Sequence, residues 1–250
     1  MNIWITGAST GIGREVARQY ARDGHTVCVS ARGADGLKQL ADDCADAKGS
    51  VRAYELDVTD PQRAQDVFDA ILNDVGVPDL VILNAGTSAP DTAARFDREL
   101  YARIMDVNYM GVINCLQSVL PVFLQQRRGQ LAVVASVAGY RGLPLAAAYC
   151  ASKSALITLC ESLQPELVSN GVSLHVVDPG FIRTPLTDKN RFPMPFLMEV
   201  EPAAARLISG LEQGRFEITF PKRFTWMVKT LRFLPFPLYL RLTRLLVRGS

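Results

Sequence analysis

With 250 residues, 48% of them hydrophobic and 21% charged, the chain carries enough apolar material for a sizeable core and nothing that suggests disorder. A formal net charge of +2 gives no global reason to expect a nucleic-acid partner. Five cysteines, at positions 28, 44, 115, 150 and 160, make an odd number without metal-ligand spacing, so free thiols in a reducing, cytoplasmic setting are expected, with no metal site. Met1 runs directly into a strand, which leaves no room for a signal or transit peptide. The longest uncharged run, Val107 to Gln126, holds Asn108, Asn114 and Pro121 and reads as a buried helix rather than a membrane span.

In chain order, Asn2–Thr6 is a short apolar strand, and an amphipathic helix opens at Gly13. Further apolar runs fall at 26–30, 51–56, 79–83, 130–135, 172–177 and 216–220, separated by helix-length patterns. That βαβ alternation predicts an α/β fold of the Rossmann type: one domain with a doubly wound parallel sheet and helices on both faces. No linker, internal repeat or low-complexity segment divides it. Residues 1–220 form the expected domain, and 221–250 a basic amphipathic extension of it.

Between the first strand and helix lies Gly7-Ala8-Ser9-Thr10-Gly11-Ile12-Gly13. Glycines at such a turn let the backbone approach a phosphate, and the helix N-terminus presents free N–H groups and a positive dipole. The spacing is G-x-x-x-G-x-G, not G-x-G-x-x-G. The same residues fit the G-x-S-x-G elbow of hydrolases, with Ser9 as nucleophile. That rival needs a histidine after the serine, and only His25, at the start of a strand, and His175, inside an apolar strand run, are available.

Tyr149 and Lys153 stand four apart on a predicted helix that is free of Gly and Pro until Pro165, so they share a face. An ammonium beside a phenol favours the phenolate, and the expectation is a Tyr149 pKa pulled below about 10. The second strand ends in Ala31-Arg32, where an NAD site would carry an Asp or Glu for the ribose 2′-hydroxyl. A missing carboxylate and a planar cation suit a 2′-phosphate, so NADP(H) is the expected cofactor, with Arg14 or Lys38 as helpers to Arg32.

The turn Thr6–Gly13 resembles that of the short-chain dehydrogenase/reductase family, and later landmarks arrive in that family's order: Asp57-Val58, Asn84-Ala85-Gly86, Asn108, Ser136, Tyr149, Lys153, Pro179-Gly180 and Thr184. The resemblance covers about residues 2–220; Leu83 departs from it, standing where the family often has a second Asn. It implies hydride transfer between the cofactor and a carbonyl or alcohol carbon, with Tyr149 as general acid/base and Ser136 on the substrate oxygen. Lys153 would also hold the nicotinamide ribose. Asn108, by its side chain or by its backbone at a kink, would hold a water that relays protons to Lys153. Gly7, Ser9, Thr10, Gly11, Ile12, Gly13, Arg32, Asp57, Val58, Asn84, Ala85, Gly86, Pro179, Gly180, Ile182 and Thr184 would line the cofactor site. Asp57 and Val58 would take the adenine, and Ile182 and Thr184 the carboxamide and pyrophosphate. A homo-oligomer is expected on the same resemblance. The alternative on the same fold is a protein that senses NADP without turning it over.

Cys150, beside the candidate acid, reads as packing, with oxidation sensitivity expected if its thiol is accessible. Residues 185–200, which include Phe192, Phe196, Leu197 and Met198, lie where the family places a substrate lid, and they suggest an apolar substrate. After Phe220 come seven basic residues and no acidic one, interleaved with Trp, Phe and Leu and split by Pro235-Phe236-Pro237. Two readings of that tail stay open: cover for the cleft or another subunit, and an interfacial membrane helix.

Overall fold

The structure, a computed structural model, describes residues 1–188 and 194–248. Seven parallel strands are β1 (Asn2–Thr6), β2 (Thr26–Ala31), β3 (Ser50–Glu55), β4 (Leu80–Leu83), β5 (Gln130–Val134), β6 (Ser173–Pro179) and β7 (Glu217–Phe220). They form one sheet in the order β3-β2-β1-β4-β5-β6-β7. The helices are α1 (Gly11–Arg22), α2 (Ala34–Asp43), α3 (Pro61–Val75), α4 (Arg98–Met105), α5 (Gly111–Gln126), α6 (Ala147–Ser169), α7 (Val200–Glu212), α8 (Lys222–Arg232) and α9 (Phe236–Arg248).

Side-chain alternation along β1 shows why helices cover both faces. Trp4 points into one core with Phe68 of α3, Phe123 of α5 and Leu156 of α6, and its ring stacks on Phe68 at 5.7 Å. Ile3 and Ile5 point into the other, with Val16 of α1, Leu37 of α2 and Leu207 of α7. Each fully buried side chain of this size contributes about 1.5–3 kcal/mol. The run Val107–Gln126 packs in the first core through Val112, Cys115, Leu116, Val119 and Phe123.

After β3 the chain returns across the sheet to place β4 on the other side of β1. Connections diverge there, and a crevice opens beyond the carboxyl ends of β1 and β4, the usual place for a ligand in such a sheet. One local expectation shifts. The first helix begins at Gly11, two residues before Gly13. Pro165 does not end α6, which continues to Ser169. Pro165 is exposed, so water can serve the carbonyl that its missing N–H leaves open.

Candidate active site

The crevice is a cleft of about 400 Å³. Gly7, Ser9, Thr10, Gly11, Ile12, Arg32, Asp57, Val58, Asn84, Ala85, Gly86, Ser136, Tyr149, Lys153, Pro179, Gly180, Ile182 and Thr184 line it, while Gly13 and Asn108 stand behind the wall.

The glycine turn is built for close approach. Gly7 and Gly11 have φ of 68° and 60°, the left-handed region that disfavours a side chain. A Cβ on Gly7 would sit 2.7 Å from Ala85 Cα, and one on Gly13 2.5 Å from Asn84 Nδ2. Asn84 explains the crowding. Its amide donates to the carbonyls of Thr6 (3.1 Å) and Gly7 (3.0 Å), and Thr6 Oγ1 accepts from the N–H groups of Asn84 and Ala85. Asn84 therefore clips the exit of β4 to the exit of β1. Thr10, the residue before α1, makes no side-chain cap, so the first N–H groups of the helix face the cleft without a protein acceptor. A glycine cradle at an uncapped helix N-terminus, in a cleft of this size, fits a dinucleotide phosphate.

Arg32 stands exposed on the rim, between this cleft and a shallower pocket lined by Asp57, Arg98 and Arg103. Arg14 is not available as its helper. Its guanidinium donates to the carbonyls of Ser9 and Gly36 and pairs with Asp43 at 2.7 Å, which tethers α2 to the turn. Lys38 is exposed on α2. Asp57 accepts from the Thr59 N–H (3.0 Å) and hydroxyl (2.8 Å), and Asn114 Nδ2 donates to the Val58 carbonyl at 2.8 Å.

At the far end of the cleft Ser136, two residues past β5, meets α6. Ser136 Oγ accepts from the Ala138 N–H (3.1 Å) and donates to the Pro179 carbonyl (3.3 Å). Lys153 is buried, and its Nζ donates to the Val134 carbonyl at 2.8 Å, 5.8 Å from the centre of the Tyr149 ring. Burial lowers the Lys153 pKa to about 8, opposed by the Asp178 charge. Burial also raises Tyr149, to about 12, with the nearby Ser136 hydroxyl pulling the other way. The expected depression of Tyr149 by Lys153 is thus corrected. Desolvation dominates both groups, and the ammonium is directed at a strand carbonyl instead of the phenol.

Asn108 is fully buried in a π-helical turn, Asp106–Met110, between α4 and α5. Its Oδ1 accepts from the Thr87 N–H (2.7 Å), and its Nδ2 donates to the Thr87 carbonyl (3.0 Å) and Ser152 Oγ (2.9 Å). Both amide hydrogens are thus taken while Oδ1 keeps one lone pair, so neither expected role is excluded, the side-chain one or the backbone one. A π turn breaks the i→i−4 ladder and frees a carbonyl, as the backbone role requires.

Other expectations fare differently. Cys150 is buried, its Sγ accepts from the Leu143 N–H at 3.4 Å, and burial raises its pKa, so the thiol is packing and not an accessible reactant. His175 is buried in mid-β6 with Nδ1 at 2.7 Å from the Arg215 carbonyl. His25 precedes β2, at the opposite end of the parallel sheet from Ser9. A hydrolase on Ser9 therefore has no base. Of the 185–200 stretch, Phe192 and Pro193 lie outside the described residues; Pro185 and Leu186 line the cleft, and Met198 pairs with Ile182.

Three features have no local sequence signal. Asp91, in the loop after β4, accepts from the N–H groups of Ala147 (2.9 Å) and Ala148 (2.7 Å), capping the helix that carries Tyr149. Tyr140 Oη lies 3.2 Å from Asp178 Oδ2 and 2.7 Å from Glu217 Oε1, and Glu217 is ion-paired with Lys229 of α8. Arg141 donates to the carbonyls of Leu231, Arg232 and Leu234 and lies 3.9 Å over the Tyr239 ring. Tyr140 and Arg141 belong to the loop between Ser136 and Tyr149, so α8 and α9 are fastened to the mouth of the site.

The comparisons agree with this geometry. Residues 1–193 match the family described as short chain dehydrogenase. An uncharacterized oxidoreductase of Myxococcus xanthus is 38% identical over 235 residues, 94% of this chain and 93% of the relative. A 3-oxoacyl-(acyl-carrier-protein) reductase FabG of Thermotoga maritima is 32% identical over 85% of this chain and 82% of its own. Among solved structures, a short-chain dehydrogenase from Sphingobium yanoikuyae in complex with NADPH superposes with a TM-score of 0.81 at 26% identity, covering 88% and 87% of the two chains. A Burkholderia phymatum enzyme in complex with NAD, 24% identical and covering 91% of each chain, shares the fold with a TM-score of 0.84. The chain belongs to the short-chain dehydrogenase/reductase family. It is an oxidoreductase whose cofactor is a nicotinamide dinucleotide.

Proposed function

We propose that this oxidoreductase is an NADPH-dependent reductase of an apolar carbonyl substrate, with Tyr149 as general acid. The observation that carries the reading is the meeting of Ser136, Tyr149 and Lys153 in the cleft whose other end is the glycine turn. Arg32, with no carboxylate at Ala31, supports the 2′-phosphate, and Pro185 and Leu186 in the cleft wall support an apolar substrate. Assembly as a homo-oligomer rests on the family resemblance and is read by light scattering.

The bound nicotinamide supplies the hydride. A phenol raised to about 12 keeps its proton at neutral pH, so Tyr149 is stored as an acid and gives that proton only to a stronger base, such as a forming alkoxide. Ser136 would turn its hydroxyl from the Pro179 carbonyl to the substrate oxygen, a donor already in place as charge develops. Lys153, near pKa 8, can pass a proton to the phenolate and be recharged through a water at the backbone of the π turn.

The test is NADPH oxidation against aldehydes and ketones of rising chain length, with NADH and Tyr149→Phe alongside. Turnover that prefers NADPH and falls by about 10²-fold or more in the variant, with nucleotide binding intact, is expected. Tight NADPH binding without turnover of any carbonyl would favour the sensor, and a preference for NADH would overturn the role of Arg32.

A further inference from the structure

Helices α8 and α9 and the turn between them carry many exposed large apolar side chains. Trp226 is 68% exposed, Phe233 84%, Phe236 73% and Leu245 62%, and Met227, Leu238, Leu240 and Leu242 are also exposed. Eight of the fourteen exposed large hydrophobics of the described residues thus lie on these two helices and the turn between them, a concentration unlike the scattered surface apolars of an ordinary domain. Lys222, Arg223, Arg232, Arg241 and Arg244 are exposed on the same two helices, and none pairs with a carboxylate among the described residues. The last acidic residue of the chain, Glu217, is already taken by Lys229.

The pieces are not loose. Phe224, Val228 and Tyr239 are buried, and the Arg141 clasp joins the helices to the loop between Ser136 and Tyr149. The exposed apolar side chains are therefore presented by a fixed platform, and no residue of α8 or α9 lines the cleft.

We infer that α8 and α9 form a docking face for an anionic lipid bilayer, with Trp226, Phe233 and Phe236 entering the interface and the arginines contacting lipid headgroups. Charge complementarity selects this occupant. A second copy meeting the same face across a two-fold axis would set five unpaired cations against five. An anionic surface neutralises them while the aromatic and leucine side chains lose contact with water. The inference does not depend on the proposed reaction.

Vesicle co-sedimentation of the full chain tests it, with phosphatidylcholine alone and phosphatidylcholine mixed with phosphatidylglycerol. The expected result is binding to the mixed vesicles that weakens with added salt and is absent with phosphatidylcholine. Arg223→Gln and Arg244→Gln should each weaken partitioning roughly fivefold. The double variant Trp226→Ser/Phe233→Ser should abolish it while circular dichroism and nucleotide affinity stay unchanged. No binding to mixed vesicles overturns the inference and leaves the reductase reading intact. An oligomer that the double variant dissociates, seen by light scattering, overturns it in favour of a self-interface.

Discussion

A phenol has one proton to give, and at the end of β6 two carboxylates lie within reach of it. Tyr140 can donate to only one of Asp178 and Glu217, and Glu217 is already paired with Lys229. Protonating Asp178 relieves the repulsion of two carboxylates that share one phenol. The Asp178 pKa agrees: burial, with the Glu217 charge adding to it, pushes it up to about 7. Because the folded value lies above the unfolded one, the folded state holds a proton that the unfolded chain releases from about pH 4 upward. The stability from this group is complete at low pH and is lost as pH rises through about 7. Melting temperature should accordingly fall between about pH 5 and pH 8, and Asp178→Asn, which keeps a donor at every pH, should flatten that slope. An unchanged slope in the variant would mean that Asp178 is not the protonated partner. The cluster is invisible in sequence, since Tyr140, Asp178, Glu217 and Lys229 come from four separated segments. Lys153 and Tyr149 were legible as a pair from their spacing, but the sign of the Tyr149 shift was not. Spacing reports proximity, whereas the shift depends on how much water the surrounding helices exclude.

At the scale of the elements, the strands were the most readable part. Seven apolar runs became seven strands because a parallel sheet covered on both faces needs near-continuous Val, Ile and Leu. The edge strand β3 departs from that rule, with Arg52 and Glu55 exposed beside only one neighbour, β2. Helix ends were less readable, because their partners come from far away in the chain. No residue near Ala146 caps α6; Asp91, 56 residues before Ala147, does so. Replacing it should show what that placement contributes. Asp91→Ala is expected to cost about 1 kcal/mol, seen as a melting temperature lowered by about 2–4 °C. It should also lower kcat, because the freed N–H groups belong to the two residues directly before Tyr149. Loss of stability with kcat unchanged would make Asp91 a cap and nothing more. A kink at Asn108 was one of two readings implied by the family resemblance, but its partners Thr87 and Ser152, which come from other elements, had no local signal.

On the scale of the whole molecule, the cofactor half and the tail meet at one loop. Gly180 shows how tightly: a Cβ there would lie 2.7 Å from the Phe224 ring of α8. Ending the chain after Arg232 removes the Phe236 and Tyr239 rings from Arg141 and should cost about 1–3 kcal/mol of stability. Substrate KM should rise more than nucleotide Kd, because the loop belongs to the substrate end of the cleft. Equal effects on both would argue against the clasp as a support for the site.

The same arrangement imposes an order on biosynthesis. The glycine turn leaves the ribosome well before the partners of Tyr140 and Arg141, which come from Glu217, Lys229 and the helices behind them. A chain broken off late would already hold the nucleotide cradle without a fastened mouth, occupying cofactor and returning little product. The truncated protein, assayed for nucleotide binding and turnover together, would display that imbalance directly.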